Sequence, residues 1–191
     1  MLETTVQELL EATGGTLLAG ALDRKVSGVE TDSRACGAGM LFVPLIAARD
    51  GHDFMEKALS VGAAGTLCSR EPEQFLPDKF YIRVADTRLA LKALASWYRD
   101  RFDLQVIQIT GSVGKTTTKE MIAAVLSEHY NTLKTDGNFN NDIGVPKTLF
   151  RLLPEHEAAV VETGMNHFGE IRYLGEMVRP DVAVISNVGD A

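Results

Sequence analysis

The sequence predicts an α/β protein of two domains, because apolar strands alternate with amphipathic helices along most of its 191 residues. The chain is 45% hydrophobic and 24% charged, an ordinary globular composition that excludes a disordered or fibrous chain. Its formal net charge of −7 excludes a general attraction to nucleic acid or to an anionic membrane. Any anion that the chain binds therefore needs a local site of positive potential.

Cysteine usage and the N-terminus predict a cytoplasmic protein. Cys36 and Cys68 are too few for a disulfide framework. The first residues lack the basic and apolar regions of an export signal, and no run of about 18 apolar residues predicts a membrane span.

Residues 1–85 are predicted to form a small α/β domain. Asp86 is suited to cap a long helix that reaches about Phe102, so the boundary is placed just before it. Glu71–Lys79, with two prolines, is predicted to be a loop. The other predicted elements are a helix at Val6–Ala12, strands at Val26–Thr31 and Leu41–Leu45, a helix at Phe54–Val61, and strands at Gly65–Cys68 and Phe80–Val84.

Residues 86–191 are predicted to form the front part of a parallel-sheet domain. Four apolar side chains of the predicted helix Lys115–Tyr130 are expected to face inward: Met121, Ile122, Val125 and Leu126. The chain ends at Gly189-Asp190-Ala191, directly after an apolar strand that no helix covers, so we expect a truncated fragment that is inactive alone. The predicted elements are strands at Leu104–Thr110, Asn131–Lys134, Ala158–Val161 and Val182–Val188, and helices at Lys115–Tyr130, Pro146–Leu153 and Gly169–Val178.

A glycine-rich run between a predicted strand and helix indicates phosphate binding. Gly111 and Gly114 let backbone N–H groups curl around an anion, and the start of the helix adds a partial positive charge. Lys115 would bring a full charge to the β- and γ-phosphates, and Thr116 a hydroxyl to Mg²⁺. Position 109 is isoleucine where the general nucleotide-binding pattern has glycine, so a glycine-rich turn with an exposed lysine stays the alternative. The predicted phosphate-binding residues are Gly111, Ser112, Val113, Gly114, Lys115, Thr116 and Thr117.

Glu162 ends an apolar strand, and ligands of open α/β sheets bind at the carboxyl ends of strands. Glu162 is therefore a candidate ligand for Mg²⁺, directly or through water, beside the phosphate loop. The alternative is a solvated acid at a strand end. His167, a few residues later, is a candidate ligand or substrate contact, or a surface histidine.

A run of asparagines follows the second strand of this part. Asn138, Asn140 and Asn141 offer donors and acceptors without charge, which suits a substrate that brings its own phosphates or carboxylates. Asparagine and glycine also favour turns, so a plain loop is an equal interpretation.

These motifs together resemble the Mur ligase family. The phosphate loop looks like that of the family. The runs Gly137–Leu149 and Glu162–Ile171 are similar to the members that join D-alanyl-D-alanine to UDP-N-acetylmuramoyl-tripeptide, and Thr31–Arg34, Gly39–Leu45 and Asp50–Phe54 look like their uridine-binding module.

The resemblance implies an ATP-driven ligase that forms an amide bond through an acyl phosphate, with ATP and Mg²⁺ as cofactors and a monomeric state. Lys115 and Glu162 would be catalytic, and Thr116 and Glu162 would hold the metal. The residues implied in substrate binding are Thr31, Ser33 and Arg34 near the uridine, with the Ala47–Arg49 loop beside them, and Asn138, Asn140, Asn141, Asn166, His167 and Arg172 near the sugar–peptide or phosphates. For the first three, a strand-end turn with a surface arginine is the alternative.

Other function classes stay open. A guanine-binding switch or small kinase is disfavoured, because the run nearest to Asn-Lys-x-Asp is Leu133–Asp136, with leucine first. Another Mur ligase, a folate polyglutamate ligase, or a nucleotide-binding module without catalysis are the remaining alternatives.

Overall fold

The computed structural model describes residues 1–189 and divides the chain into two compact units, Met1–Leu94 and Ala95–Ala191. The division falls inside helix α3 (Thr87–Arg99), whereas the predicted boundary precedes that helix. Asp190 and Ala191, the end of the predicted second domain, lie outside the described residues. Both units combine helices with mostly parallel strands, which confirms the predicted fold class.

The first unit contains a five-stranded sheet in the order β2-β7-β6-β5-β4. Only the β2–β7 pair is antiparallel, so the carboxyl ends of β4 to β7 share one edge. β1 and β3 form a separate antiparallel pair. The elements are β1 (Thr4–Thr5), α1 (Val6–Thr13), β2 (Thr16–Ala19), β3 (Lys25–Val26), β4 (Gly28–Glu30), β5 (Met40–Phe42), a 3₁₀ turn (Gly51–Phe54), α2 (Met55–Ser60), β6 (Gly65–Cys68), β7 (Phe80–Arg83) and the first part of α3.

Local sequence explains the helix boundaries in the first unit. The Thr5 side chain and Glu8 form a reciprocal capping box at the start of α1, and Gly14 ends that helix in the left-handed conformation. Asp86 accepts from the backbone N–H groups of Arg88 and Leu89, as predicted for the cap of α3. β2 was not predicted, because its four residues lack a clear alternation of apolar and polar side chains.

The second unit contains a parallel four-stranded sheet in the order β11-β8-β10-β9. Strands that follow one another in the chain are joined through helices, as parallel strands require. Its core includes Ile109, Ala123 and Val160. After the last part of α3, the elements are β8 (Gln105–Thr110), α4 (Lys115–Leu126), β9 (Thr132–Lys134), α5 (Gly144–Leu149), β10 (Ala158–Glu162), α6 (Glu170–Val178) and β11 (Val182–Ile185).

Several expectations about this unit are wrong. Helices α4 and α5 end at Leu126 and Leu149, each four residues earlier than predicted. Met121 and Val125 do not face inward but are 66% and 71% exposed. The face of α4 that lies on the sheet runs through Lys119 and Ala123, and the 3.6-residue period carries Met121 and Val125 away from it. β11 ends at Ile185, three residues earlier than predicted, because the following residues bond to the phosphate loop instead.

None of the helices within residues 1–189 has the length and apolar character needed to cross a lipid bilayer.

Candidate functional site

The glycine-rich run forms a tight loop between β8 and α4. Gly111 and Gly114 both have positive φ, at 140° and 82°, which explains glycine at these two positions. The first α4 bond closes from the Thr118 N–H to the Gly114 carbonyl at 2.9 Å. The preceding N–H groups therefore lie at the free start of the helix, where anions bind.

The Lys115 side chain folds back over the loop. Its Nζ donates to the carbonyls of Gly111 at 2.6 Å and Ser112 at 3.2 Å. Thr116 and Thr117 are exposed in the first turn of α4. The Lys115 ammonium group is therefore held in the middle of the loop, beside the start of α4.

Glu162 ends β10 and pairs in register with Ile109 of β8, two residues before Gly111. Its side chain is only 1% exposed, so it is not a solvated acid. Oε1 accepts from Asn140 Nδ2 at 2.9 Å, whereas Oε2 is buried without a hydrogen-bond partner. A buried carboxylate oxygen without a donor is costly unless a cation neutralises it.

Lys119 is a site residue that the sequence analysis missed. Its side chain is also 1% exposed, and its Nζ lies 3.7 Å from Glu162 Oε2, 3.1 Å from Glu120 Oε1 and 3.4 Å from the Gly137 carbonyl. Hydrogen bonds from Lys134 and then Lys119 hold the pKa of Glu120 below its usual value. The available signal was its spacing, since Lys119 lies one helical turn after Lys115 on the face that continues to Ala123.

The asparagines of the next loop have different roles. Asn140 binds Glu162 through its side chain, and its carbonyl accepts from the Gly164 N–H at 2.8 Å. Asn141 Oδ1 accepts from the N–H groups of Ile143 and Gly144 at the start of α5, so part of its polar capacity is structural. Asn138 is exposed.

The loop after β10 completes a small cavity. Glu170 Oε2 accepts from the backbone N–H groups of Asn166 and His167, and these bonds lower the pKa of Glu170. The cavity, of about 180 Å³, brings together Lys115, Asn140, Asn141, Gly164 and Asn166 among its lining residues. Among residues 1–189, three other predicted contacts do not line this cavity: Asn138, His167 and Arg172. His167 is exposed on the same loop, and Arg172 is exposed on α6.

The predicted magnesium ion fits these residues. Among the described residues, no group of three or more His, Cys, Asp and Glu side chains is placed to hold a metal. Mg²⁺ commonly takes one carboxylate together with substrate phosphates and water. The unpartnered Oε2 of Glu162 offers that one carboxylate oxygen, and the Thr116 hydroxyl stands in the first turn of α4.

The predicted uridine contacts of the first unit lie where β4 ends. The backbone N–H groups of Thr31 and Asp32 donate to Glu30 Oε1, and Ser33 is buried. The Arg34 guanidinium makes two bonds to Asp32, at 2.9 and 2.7 Å, and this pairing raises its pKa. The Ala47–Arg49 loop follows β5 at the same sheet edge and is closed by a bond from the Ala47 N–H to the Arg49 carbonyl.

A buried histidine fixes the neighbouring loop, and the sequence analysis did not single it out. His52 Nδ1 lies 2.6 Å from Asp50 Oδ1, and its Nε2 accepts from the Ser69 N–H at 3.0 Å. His52 therefore ties the segment after β5 to the end of β6.

A parallel sheet with a strand, a glycine-rich loop carrying Gly-Lys-Thr-Thr and a helix is typical of P-loop proteins, which hold nucleotide phosphates at this position. Residues 109–191 match the Mur ligase middle domain. The chain is 45% identical over 192 residues to the UDP-N-acetylmuramoyl-tripeptide–D-alanyl-D-alanine ligase of Escherichia coli strain K12, an alignment that covers 100% of this chain and 41% of that protein.

Solved structures agree with this match. MurF from Acinetobacter baumannii superposes with a TM-score of 0.93 at 40% identity, over 99% of this chain and 42% of that chain. MurF from Thermotoga maritima in complex with ADP superposes with a TM-score of 0.77 at 32% identity, over 85% of this chain and 38% of that chain. The chain spans about two fifths of the length of these relatives. These matches confirm the resemblance to the Mur ligase family that is seen in the sequence.

Proposed function

We propose that this chain is the part of an ATP-dependent Mur ligase that binds the phosphates of ATP and the UDP portion of the UDP-linked substrate. The whole protein would add D-alanyl-D-alanine to UDP-N-acetylmuramoyl-tripeptide in peptidoglycan synthesis, since the relatives described above carry that name. The chain alone spans too little of those relatives to carry the complete reaction, so we propose that it is inactive without the remaining part.

One observation carries the proposal most strongly. The buried Glu162 carboxylate, with one unpartnered oxygen, stands in register beside the strand that leads into the phosphate loop. Lys119 pairs with this carboxylate at 3.7 Å but donates no hydrogen bond to Oε2, and a buried oxygen without a donor is costly in a purely structural role. A carboxylate oxygen without a hydrogen-bond donor is what a site for a divalent cation and a polyphosphate requires.

The chemistry demands that two anions approach each other. A terminal carboxylate oxygen of the tripeptide bonds to the γ-phosphorus of ATP while the β–γ bridging P–O bond breaks and ADP leaves. The amine of D-alanyl-D-alanine then attacks the carbonyl of the acyl phosphate, and phosphate leaves as the amine gives up its proton. Lys115 and the start of α4 reduce the repulsion in the first step by neutralising phosphate charge.

Two residues of this chain would hold the metal. The Glu162 Oε2 atom and the Thr116 hydroxyl are the candidate ligands, and Mg²⁺ when bound supplies further charge neutralisation to the phosphates. Asn140 keeps the carboxylate in place through its bond to Oε1. The proposed contacts for the sugar–peptide or phosphates are Asn141 and Asn166, which line the small cavity with Lys115, and the exposed Asn138, His167 and Arg172.

The first unit is proposed to bind the uridine end of the substrate at Thr31, Ser33 and Arg34. These residues lie at the carboxyl edge of its parallel strands, the usual ligand position in such sheets. We also propose a monomeric protein of the cytoplasm, a compartment that two buried cysteine thiols suit.

Calorimetric titration of this chain with ADP in Mg²⁺ tests the nucleotide site. The Lys115→Ala variant should bind at least about tenfold more weakly, because charge-assisted bonds to phosphate are lost. Lys134→Ala removes another lysine of the same unit and should leave the affinity unchanged. Equal binding by wild type and Lys115→Ala would overturn the phosphate-loop role.

Ligation by the full-length parent protein tests the reaction. We expect product with D-alanyl-D-alanine and none with a single amino acid. Acceptance of a single amino acid but not the dipeptide would favour another Mur ligase or a folate polyglutamate ligase. Nucleotide binding without ligation by the parent protein would favour a binding module.

A further inference from the structure

The segment after β11 follows the phosphate loop closely. A Cβ built on Gly111 would lie 2.2 Å from Ser186 Oγ and 3.0 Å from the Asn187 backbone nitrogen. Gly111 is therefore required by this close approach as well as by its φ of 140°. The segment leaves no room for a side chain at the first position of the loop.

Three residues of this segment exchange hydrogen bonds with two residues of the loop. Ser186 Oγ donates to the Val113 carbonyl at 2.6 Å, and Ser112 Oγ donates to the Gly189 carbonyl at 2.7 Å. Asn187 makes two contacts with the loop. Its carbonyl accepts from the Ser112 N–H at 3.3 Å, and its side-chain Oδ1 accepts from the Val113 N–H at 2.8 Å.

A substitution of Asn187 removes its side-chain bond to the Val113 N–H without touching the backbone bond that Asn187 makes to Ser112. The Val113 N–H is at the tip of the loop, where Val113 itself is 68% exposed. Without Oδ1, the peptide that carries this N–H would keep only the 3.2 Å bond from Lys115 Nζ to its Ser112 carbonyl, and Lys115 is the side chain proposed to bind phosphate. That peptide would then rotate more freely in a loop whose glycines tolerate many conformations.

We propose that Asn187 is a positioning residue for nucleotide binding: its side-chain amide oxygen holds the Val113 peptide and keeps the loop in the shape that receives phosphate. This inference rests on the proposed function, because it assumes that the loop binds a nucleotide. Asn187 does not itself contact phosphate. It acts by reducing the conformational freedom that the loop would lose on binding.

The test compares Asn187→Leu, which has nearly the same size but no acceptor, with the wild-type chain. We expect affinities for ADP and for pyrophosphate, both in Mg²⁺, to fall by a similar factor of about five to ten. Pyrophosphate has no nucleoside, so an equal loss for both ligands locates the effect at the loop. Asn131→Leu, at another exposed asparagine of the same unit, should leave both affinities unchanged.

Amide hydrogen exchange separates positioning from general stability. In Asn187→Leu, the Val113 amide should exchange faster while the urea midpoint of unfolding stays that of the wild type. Asn187→Asp keeps an acceptor oxygen and should restore slow exchange at Val113. Its affinity should stay low, because it adds a negative charge beside the phosphates.

The outcomes distinguish this inference from the function beneath it. Wild-type binding that persists unchanged in Asn187→Leu, or becomes tighter, would overturn the positioning role and leave the phosphate site standing. A loss of affinity explained by a lowered urea midpoint would also overturn it. Failure of the wild type to bind either ligand would overturn the proposed function and this inference together.

Discussion

The two units each present the carboxyl edge of a parallel sheet, but they prepare that edge in different ways. In the second unit, Lys115 lies over the carbonyls of its own loop, and Glu162 is buried beside Lys119 with one oxygen held by Asn140 and the other without a hydrogen-bond donor. In the first unit, the exposed Arg34 is already paired with Asp32, and Glu30 accepts from nearby N–H groups. The sheet edge of the second unit is thus a preformed anion cradle around the phosphate loop. At the sheet edge of the first unit, the charged side chains are paired with each other.

This difference predicts how each edge should respond to substitution. A preformed cradle contains buried charges, so removing one partner affects folding and binding together. A self-paired surface edge must exchange partners when a ligand arrives, so substitutions there should change binding with little effect on folding.

The largest expected effect concerns Glu162. In Glu162→Gln, the gain in ADP affinity that Mg²⁺ gives the wild-type chain, expected to be at least about tenfold, should be lost, because an amide is a poor magnesium ligand. The measurement is calorimetry with ADP in Mg²⁺ and in EDTA. Glu155→Gln, at an exposed position of the same unit, is the control. A magnesium gain that survives Glu162→Gln would show that the metal binds elsewhere.

The next effect concerns the buried ion pair. Lys119→Met should lower the free energy of unfolding by about 3–5 kcal/mol, because it leaves Glu162 buried and unpaired. Urea denaturation followed by the fluorescence of Trp97, the single tryptophan, reports on the second unit. The double variant Lys119→Met/Glu162→Gln should recover part of the loss. Strictly additive losses would mean that the two side chains are not coupled.

A smaller effect is expected at the first edge. Arg34→Ala should weaken the binding of UDP by about fivefold, the size of one ion pair that is exposed to solvent. The thermal midpoint should stay unchanged, since the Asp32 pair is exposed to solvent. Arg24→Ala serves as an arginine control in the same unit. A large fall in the midpoint with unchanged UDP affinity would make Arg34 a structural residue instead.

The smallest effect concerns the low reactivity of the Cys68 thiol. Burial raises the pKa of its thiol to about 11, so at pH 8 only about 0.1% would be thiolate, the reactive form. Iodoacetamide should therefore label Cys68 slowly in the folded chain and quickly in urea. Fast labelling at pH 8 without denaturant would contradict the burial of this strand end.

Much of the site follows from the sequence because its signals are local. The loop from Gly111 to Thr117 and the carboxylate that ends β10 are encoded by residue type and by position relative to a strand. Lys119 and Asn187 were not foreseen, because their roles depend on tertiary neighbours. Lys119 lies on the face of α4 that packs on the sheet, so the polar residues of this helix do not mark its exposed face. The apolar pattern was therefore assigned to the wrong face, which explains the errors at Met121 and Val125.

The account is tested most directly by amide chemical-shift mapping of the ¹⁵N-labelled chain with two ligands. ADP in Mg²⁺ should shift the amides of residues 111–117 and Glu162 while leaving residues 31–34 unchanged. UDP should shift the amides of residues 31–34. An ADP response confined to the first unit, or absent from residues 111–117, would contradict the account.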